Sequence, residues 1–200
     1  MSTTSPALIL ASSSPYRVEL MQRLGLPFEA VAHRCDEDAL KTDDPEPVGL
    51  AAQLARLKAL SLVEAHPGAL IIGSDQVAEL EGEILSKPGT EERAVAQLKR
   101  LRGRDHRLIT AVALVGPGGE VLEEAVNVHT MRVRADLSDA ELASYVARDQ
   151  PLDCGGSYKI ESLGIALFDA IAGEDFTAIV GLPLVTVVSM LRRAGVAVLG

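Results

Sequence analysis

At 200 residues the chain is long enough to build one domain around a hydrophobic core. Hydrophobic residues make up 48% and charged residues 24%, close to the globular average, which excludes disorder, collagen and coiled coil as readings of the whole chain. Acids outnumber bases 28 to 19, giving a net charge of −9, and such a surface repels nucleic-acid polymers.

The chain opens with Met1 to Pro6, which has no basic leader, and no later stretch approaches the ~18 apolar residues of a membrane span. The expected address is the cytoplasm, without a membrane partner. Ala7 to Ala11 then reads as a short strand, Ser12-Ser13-Ser14-Pro15 as a turn, and Val18, Leu20, Met21 and Leu24 as a helix with Pro15 in its first turn. A serine turn opening a helix offers backbone N–H groups and hydroxyls to an anion. The same serines also suit a plain helix cap.

Phe28 to Val31 is a second strand, and Cys35 to Pro47 an acidic loop carrying Asp36, Glu37, Asp38, Asp43, Asp44 and Glu46. The spacing of Leu50, Leu54 and Leu57 predicts a helix from about Pro47 to Ala65, with Lys58 beside its apolar stripe. Ala69 to Gly73 is a continuous apolar run, as in a central buried strand, and is expected to stop at Ser74-Asp75-Gln76. That places Asp75 at a strand end, where ligands of α/β sheets gather.

A hairpin-like turn at Glu81-Gly82 leads to Ser86-Lys87-Pro88, and Thr90 caps a helix ended by Gly103. Arg107 to Val115 and Glu120 to Arg134 read as a long hairpin, the second strand with a largely solvent-facing side. Ser138-Asp139-Ala140-Glu141 is a capping box for a helix to about Arg148, and Gly155-Gly156-Ser157 is a turn. Ile165 to Ile171 and Ala178 to Val180 are expected as strands, and Leu184, Val188 and Leu191 as the last helix. The pattern predicts a mixed α/β protein with a twisted central sheet flanked by helices, in two lobes around a cleft.

Cys35 and Cys154 lie far apart without a CxxC partner, and the four histidines lack HxxxH or HExxH spacing, so no zinc site is indicated. No GxxxxGK[ST], GxGxxG after a strand, or GxSxG is present. What remains is a set of cations and acids at strand ends and loops: Arg17, Glu37, Lys58, Asp75, Lys87, Lys159 and Glu161, with Ser13, Ser14 and Tyr158. Cations that neutralise a polyphosphate, with carboxylates that hold a divalent metal and align a water, are what phosphoryl chemistry requires.

Seven segments in order resemble the Maf nucleotide pyrophosphatases: Leu10-Ala11-Ser12-Ser13-Ser14-Pro15-Tyr16-Arg17, Asp36-Glu37, Lys58-Ala59, Gly73-Ser74-Asp75-Gln76, Lys87-Pro88, Gly156-Ser157-Tyr158-Lys159-Ile160-Glu161 and Val180-Gly181-Leu182-Pro183. Together they span nearly the whole chain. The resemblance implies a single Maf-like domain over 1–200 with a fold like that of the inosine-triphosphate pyrophosphatases. It also implies cleavage of nucleoside triphosphates between the α and β phosphates, with Mg²⁺ or Mn²⁺ as cofactor, and a homodimer. Asp75 would activate the water and contact the metal together with Glu37, for which Asp36 and Asp38 stand as alternatives. Ser13, Ser14, Arg17, Lys58 and Lys87 would bind the phosphates.

Many family members carry two arginines after Ser-Pro, an Asp-Thr pair, and a glutamine near the position of Glu161. Here Tyr16, Gln76 and Glu161 stand instead, which resembles the branch acting on 7-methyl-GTP and removing modified nucleotides. N7 methylation makes the purine cationic, which suits stacking on Tyr16 and a carboxylate at Glu161, with Gln76 near the base. The dTTP/UTP branch, and a nucleotide-binding regulator of cell division without catalysis, are the alternatives. Tyr16 as a packing residue and Glu161 as a solvated turn acid are the plainer readings of those two side chains.

Overall fold

The computed structural model describes residues 6–36 and 46–200. Within them lie β1 (Leu8–Ala11), α1 (Pro15–Gln22), β2 (Glu29–Val31), α2 (Pro47–Leu60), β3 (Leu70–Leu80), β4 (Glu83–Ile84), α3 (Glu91–Leu101) and β5 (Asp105–Val115). β6 (Val121–Val133), α4 (Asp139–Asp149), β7 (Phe168–Ala172), α5 (Phe176–Val180) and α6 (Leu184–Arg193) follow. The strands run in the order β2-β1-β3-β5-β6-β7, with β4 pairing β3. β1 pairs parallel with β2 and β3, whereas β3/β4 and β6/β7 are antiparallel, so the sheet is mixed as predicted.

The chain divides into two compact units. The first comprises Met1–Asp75, Thr110–Asn127 and Asp175–Gly200, and the second Gln76–Ile109 and Val128–Glu174.

In the first unit the apolar runs of β1 and β3 are continuous because both sheet faces are covered. Leu8, Leu10, Leu70, Ile72, Val112 and Leu114 pack with Leu20 and Met21 of α1 and Val187, Met190 and Leu191 of α6. The alternate residues Ile9, Ala11, Ile71 and Val115 pack instead with Ala59 of α2 and Leu62. Period-two alternation sends Gly73 and Asp75 toward the α2 side and Ser74 toward the α1 and α6 side. In the second unit, α3 is capped by Thr90, and α4 by the Ser138/Glu141 capping box expected from the sequence.

Three expectations are corrected. β3 does not stop at Ser74-Asp75-Gln76 but continues to Leu80, because Val77, Ala78 and Leu80 keep it buried and Glu79 is satisfied by Arg107. Ala178 to Val180 is part of a short helix rather than a strand, since the Asp175 carboxylate accepts from the Thr177 backbone N–H at 3.0 Å and caps the turn. The strand expected from Ile165 begins only at Phe168, after a 3₁₀ turn over Leu163–Leu167.

Gly73 marks where α2 lies directly on β3: a Cβ there would sit 2.1 Å from the Ala55 carbonyl oxygen and 2.8 Å from the Ala59 nitrogen. Backbone atoms cannot swing aside as side chains do. We expect Gly73→Ala to lower unfolding free energy by about 1–3 kcal/mol or more, read from a denaturant titration. An unchanged midpoint would show that α2 can lift off the strand without cost.

Candidate functional site

β1 and β3 are parallel, with Leu10 opposite Ile72, so β1 ends at Ala11 about level with the Gly73-Ser74 stretch in the middle of β3. Ser12 builds that turn. It is buried, its N–H donates to the Leu10 carbonyl at 2.9 Å, and its Oγ accepts from the Ser14 N–H at 3.1 Å. Ser14 is the N-cap of α1, but its side chain makes no capping bond, and Pro15 follows in the first turn. The plain cap expected as one reading of these serines is therefore not made by Ser14. Ser13 is exposed and Ser14 half-buried.

Because Gly73 lets α2 approach, Lys58 on that helix reaches Asp75 on the strand. Lys58 Nζ lies 2.6 Å from Asp75 Oδ1, with only 4% and 7% of the two residues exposed. Here each charge is compensated by the other; either alone would be costly to bury. On the opposite face of β3, Arg17 Nε of α1 donates to the Gly181 carbonyl at 2.8 Å. Gly181 closes α5 with φ 122°, a left-handed conformation that favours glycine. Tyr16, on α1 beside Arg17, is half-buried.

The Ser12 to Ser14 turn, Arg17, Lys58 and Asp75 all belong to the first unit. Gln76 begins the second unit as the neighbour of Asp75 in the chain. Lys87 and Glu161 also belong to that second unit. Lys87 is exposed between β4 and α3. Glu161 is exposed as well, yet enough protein surrounds its carboxyl for desolvation to raise its pKa above the ordinary carboxylate value. Asp149 and Asp153 push the same way, against its own backbone N–H and Lys159. Glu37 and Asp38 lie outside the described residues, and Asp36 is exposed. Among the described residues, no three His, Cys, Asp or Glu side chains converge as a metal site, and no helix is long and apolar enough to cross a membrane.

Two residues of the sequence set have structural work. The Lys159 ammonium donates to the Asp149 and Gln150 carbonyls at 3.2 and 3.0 Å, closing the end of α4, where a cation meets the negative end of the helix. Tyr158 is buried, packs edge-on against Phe168 with ring centroids 4.9 Å apart, and hydrogen-bonds His106 Nε2 at 3.0 Å. Burial raises the Tyr158 phenol and pushes His106 down from 6.5 to about 4.

Nothing in the sequence points to Ser74, His106 or the Gly181 carbonyl as functional groups. Only the glycine after the α5 apolar run carried a signal, since a left-handed residue is needed where a helix stops.

This is an α/β protein in which a carboxylate buried in the middle of β3 is paired with a lysine of α2, and a serine turn leads into the helix that carries Arg17. The Maf-like protein family matches residues 7–194, and the chain belongs to it. It is 45% identical over 195 residues to a 7-methyl-GTP pyrophosphatase of Cupriavidus metallidurans, covering 97% of this chain and 96% of that one. It is 48% identical over 190 residues to the 7-methyl-GTP pyrophosphatase of Xanthomonas campestris pv. campestris strain 8004, at 95% and 97% coverage. The protein of that name from Polaromonas sp. JS666 is 46% identical over 197 residues, covering 98% of this chain and 89% of that one.

Two measurements test this electrostatic description. Lys58→Met strands the Asp75 charge and should cost about 3–5 kcal/mol of unfolding free energy, while Lys58→Met combined with Asp75→Leu should recover most of it. A double variant as unstable as the single one would contradict this balance. For His106 the folded pKa lies below the ordinary 6.5, so its contribution to stability is complete above pH 6.5 and is lost as pH falls toward 4. The wild type should lose about 3 kcal/mol more than His106→Gln over that window, and parallel pH–stability curves would refute the assignment.

Proposed function

We propose that this protein hydrolyses 7-methyl-GTP between its α and β phosphates, giving 7-methyl-GMP and pyrophosphate and so removing a modified nucleotide from the pool. The observation that carries the reading is the buried Lys58–Asp75 pair, 2.6 Å apart. The close similarity to relatives bearing that activity in their names supports the choice of substrate.

Asp75 is the general base. It accepts a proton from water as the water oxygen bonds to phosphorus, and the electron pair of the broken P–O bond leaves on pyrophosphate. An ammonium has three N–H donors, so Lys58 can hold Asp75 and still serve a phosphate oxygen. Arg17 and Lys87 take the remaining phosphate charge, and the backbone and hydroxyls of Ser13 and Ser14 cradle it. Attack of water on a polyanionic phosphate is otherwise slow, so fixed positive charge where negative charge develops lowers the barrier.

Mg²⁺ or Mn²⁺ is the proposed cofactor. Mg²⁺ is commonly held by one or two carboxylates together with substrate phosphates and waters, which fits a site with Asp75 as a buried carboxylate and no three-donor cage among the described residues. Glu37 is the second carboxylate that the family pattern assigns. When bound, the metal neutralises charge on the departing pyrophosphate.

Tyr16 offers its ring face to the cationic methylguanine and Glu161 a compensating carboxylate, with Gln76 near the base. Desolvation of the Glu161 carboxyl suits a group awaiting a cationic partner. Cytoplasmic residence is supported by Cys35 and Cys154 forming no disulfide. Homodimerisation is supported by Leu122 and Val126, exposed on one face of β6.

A panel of nucleoside triphosphates with Mg²⁺ or Mn²⁺ should give fastest turnover on 7-methyl-GTP, with pyrophosphate as co-product. Orthophosphate release would reject the assigned bond. Asp75→Asn should lower kcat by about 10²–10⁴, read at a temperature where circular dichroism shows the variant folded, because it leaves the Lys58 charge uncompensated. Tyr16→Arg with Glu161→Gln should cut the preference for 7-methyl-GTP over dTTP by about tenfold; an unaltered preference would remove both residues from base selection.

A further inference from the structure

Ser74 precedes Asp75 in β3, and their side chains leave the strand on opposite faces. Ser74 is fully buried. Its Oγ lies 2.8 Å from the Ala111 carbonyl oxygen and 3.0 Å from the Gly181 carbonyl oxygen. One hydroxyl carries one proton, so the two carbonyls share a single donor. The Gly181 oxygen has a second donor in Arg17 Nε at 2.8 Å, and a carbonyl oxygen has two lone pairs for the two bonds. The direction of that carbonyl depends on the glycine, since φ at Gly181 is 122° and a Cβ there would sit 3.4 Å from Arg17 Nε.

We propose that Ser74 is a positioning residue for the phosphate-binding arginine: through the Gly181 carbonyl it fixes the plane of the Arg17 guanidinium relative to Asp75. The guanidinium is planar and rigid, so fixing Nε fixes the directions in which the two terminal nitrogens present their N–H groups. Ser74 and Asp75 share a peptide bond in a strand buried on both faces, so the carboxylate and the arginine are indexed to one piece of backbone. Ser74 itself touches no reacting atom. Its effect is geometric, and misplacement by about 1 Å in such a site can cost on the order of a hundredfold in rate.

The inference rests on Arg17 being a phosphate ligand, as in the proposed function. The test is a double-mutant cycle of Ser74→Ala and Arg17→Lys, the latter keeping the charge but losing the Nε bond. It is read both as kcat/KM for 7-methyl-GTP and as calorimetric affinity for inorganic pyrophosphate. Ser74→Ala should lower each by about tenfold in the wild-type background and by less than about twofold beside Arg17→Lys, and Ser74→Thr should restore most of the loss by keeping the hydroxyl. A variant that merely loosens the fold would lose the same factor in both backgrounds. Equal losses, or no loss in either, overturn the proposal. Coupling in pyrophosphate binding by a protein that does not turn over 7-methyl-GTP would uphold Ser74 and overturn the substrate.

Discussion

The 2.6 Å contact between Lys58 and Asp75 is the constraint around which the first unit is arranged. Two apolar residues of similar volume could fill that space with no loss of stability and often with a gain, because desolvating both ions offsets most of their attraction. A charged pair held there is therefore explained by the proposed chemistry better than by stability. It also dictates its surroundings: α2 must lie on β3 closely enough for a lysine to reach a strand carboxylate, and only a residue without a Cβ at position 73 permits that approach.

The two faces of β3 divide the labour. Toward α2 the strand presents Gly73 and Asp75, and toward α1 and α6 it presents Ser74. One side therefore holds a compensated carboxylate, and the other a carbonyl-centred network that ends on Arg17. Both are anchored in a strand whose preceding residues, Leu70 to Ile72, are almost wholly buried, so the polar groups stand on a frame with little room to move. The proposed chemistry thus sits where the apolar run of β3 gives way to serine and aspartate.

Much of this was legible in the sequence, for physical reasons. The apolar runs of β1 and β3 announced strands covered on both faces, and Thr90 and Ser138 announced helix starts through capping chemistry. What misled was polarity. Ser74-Asp75-Gln76 reads as the end of a strand because a buried carboxylate is expensive, and only the lysine 17 positions earlier makes its burial affordable. Likewise Ala178-Ile179-Val180 carries β-branched residues suited to a strand, but the cap from Asp175 and the glycine at 181 turn it into a short helix. The Ser74 to Gly181 contact joins residues 107 positions apart, and neither residue type announces it. Tyr158 and Lys159 stand in a family motif among candidate polar groups, yet their contacts are with the aromatic cluster and the end of α4.

For the proposed hydrolysis, a triphosphate must meet Asp75 where Lys58 and Arg17 are held. A crystal structure of Asp75→Asn with the α,β-methylene analogue of 7-methyl-GTP tests it most directly. Phosphate oxygens are expected within hydrogen-bonding distance of Arg17 and Lys58, with the α–β bridge facing residue 75. A nucleotide bound with its phosphates remote from residue 75 and from both cations would contradict it.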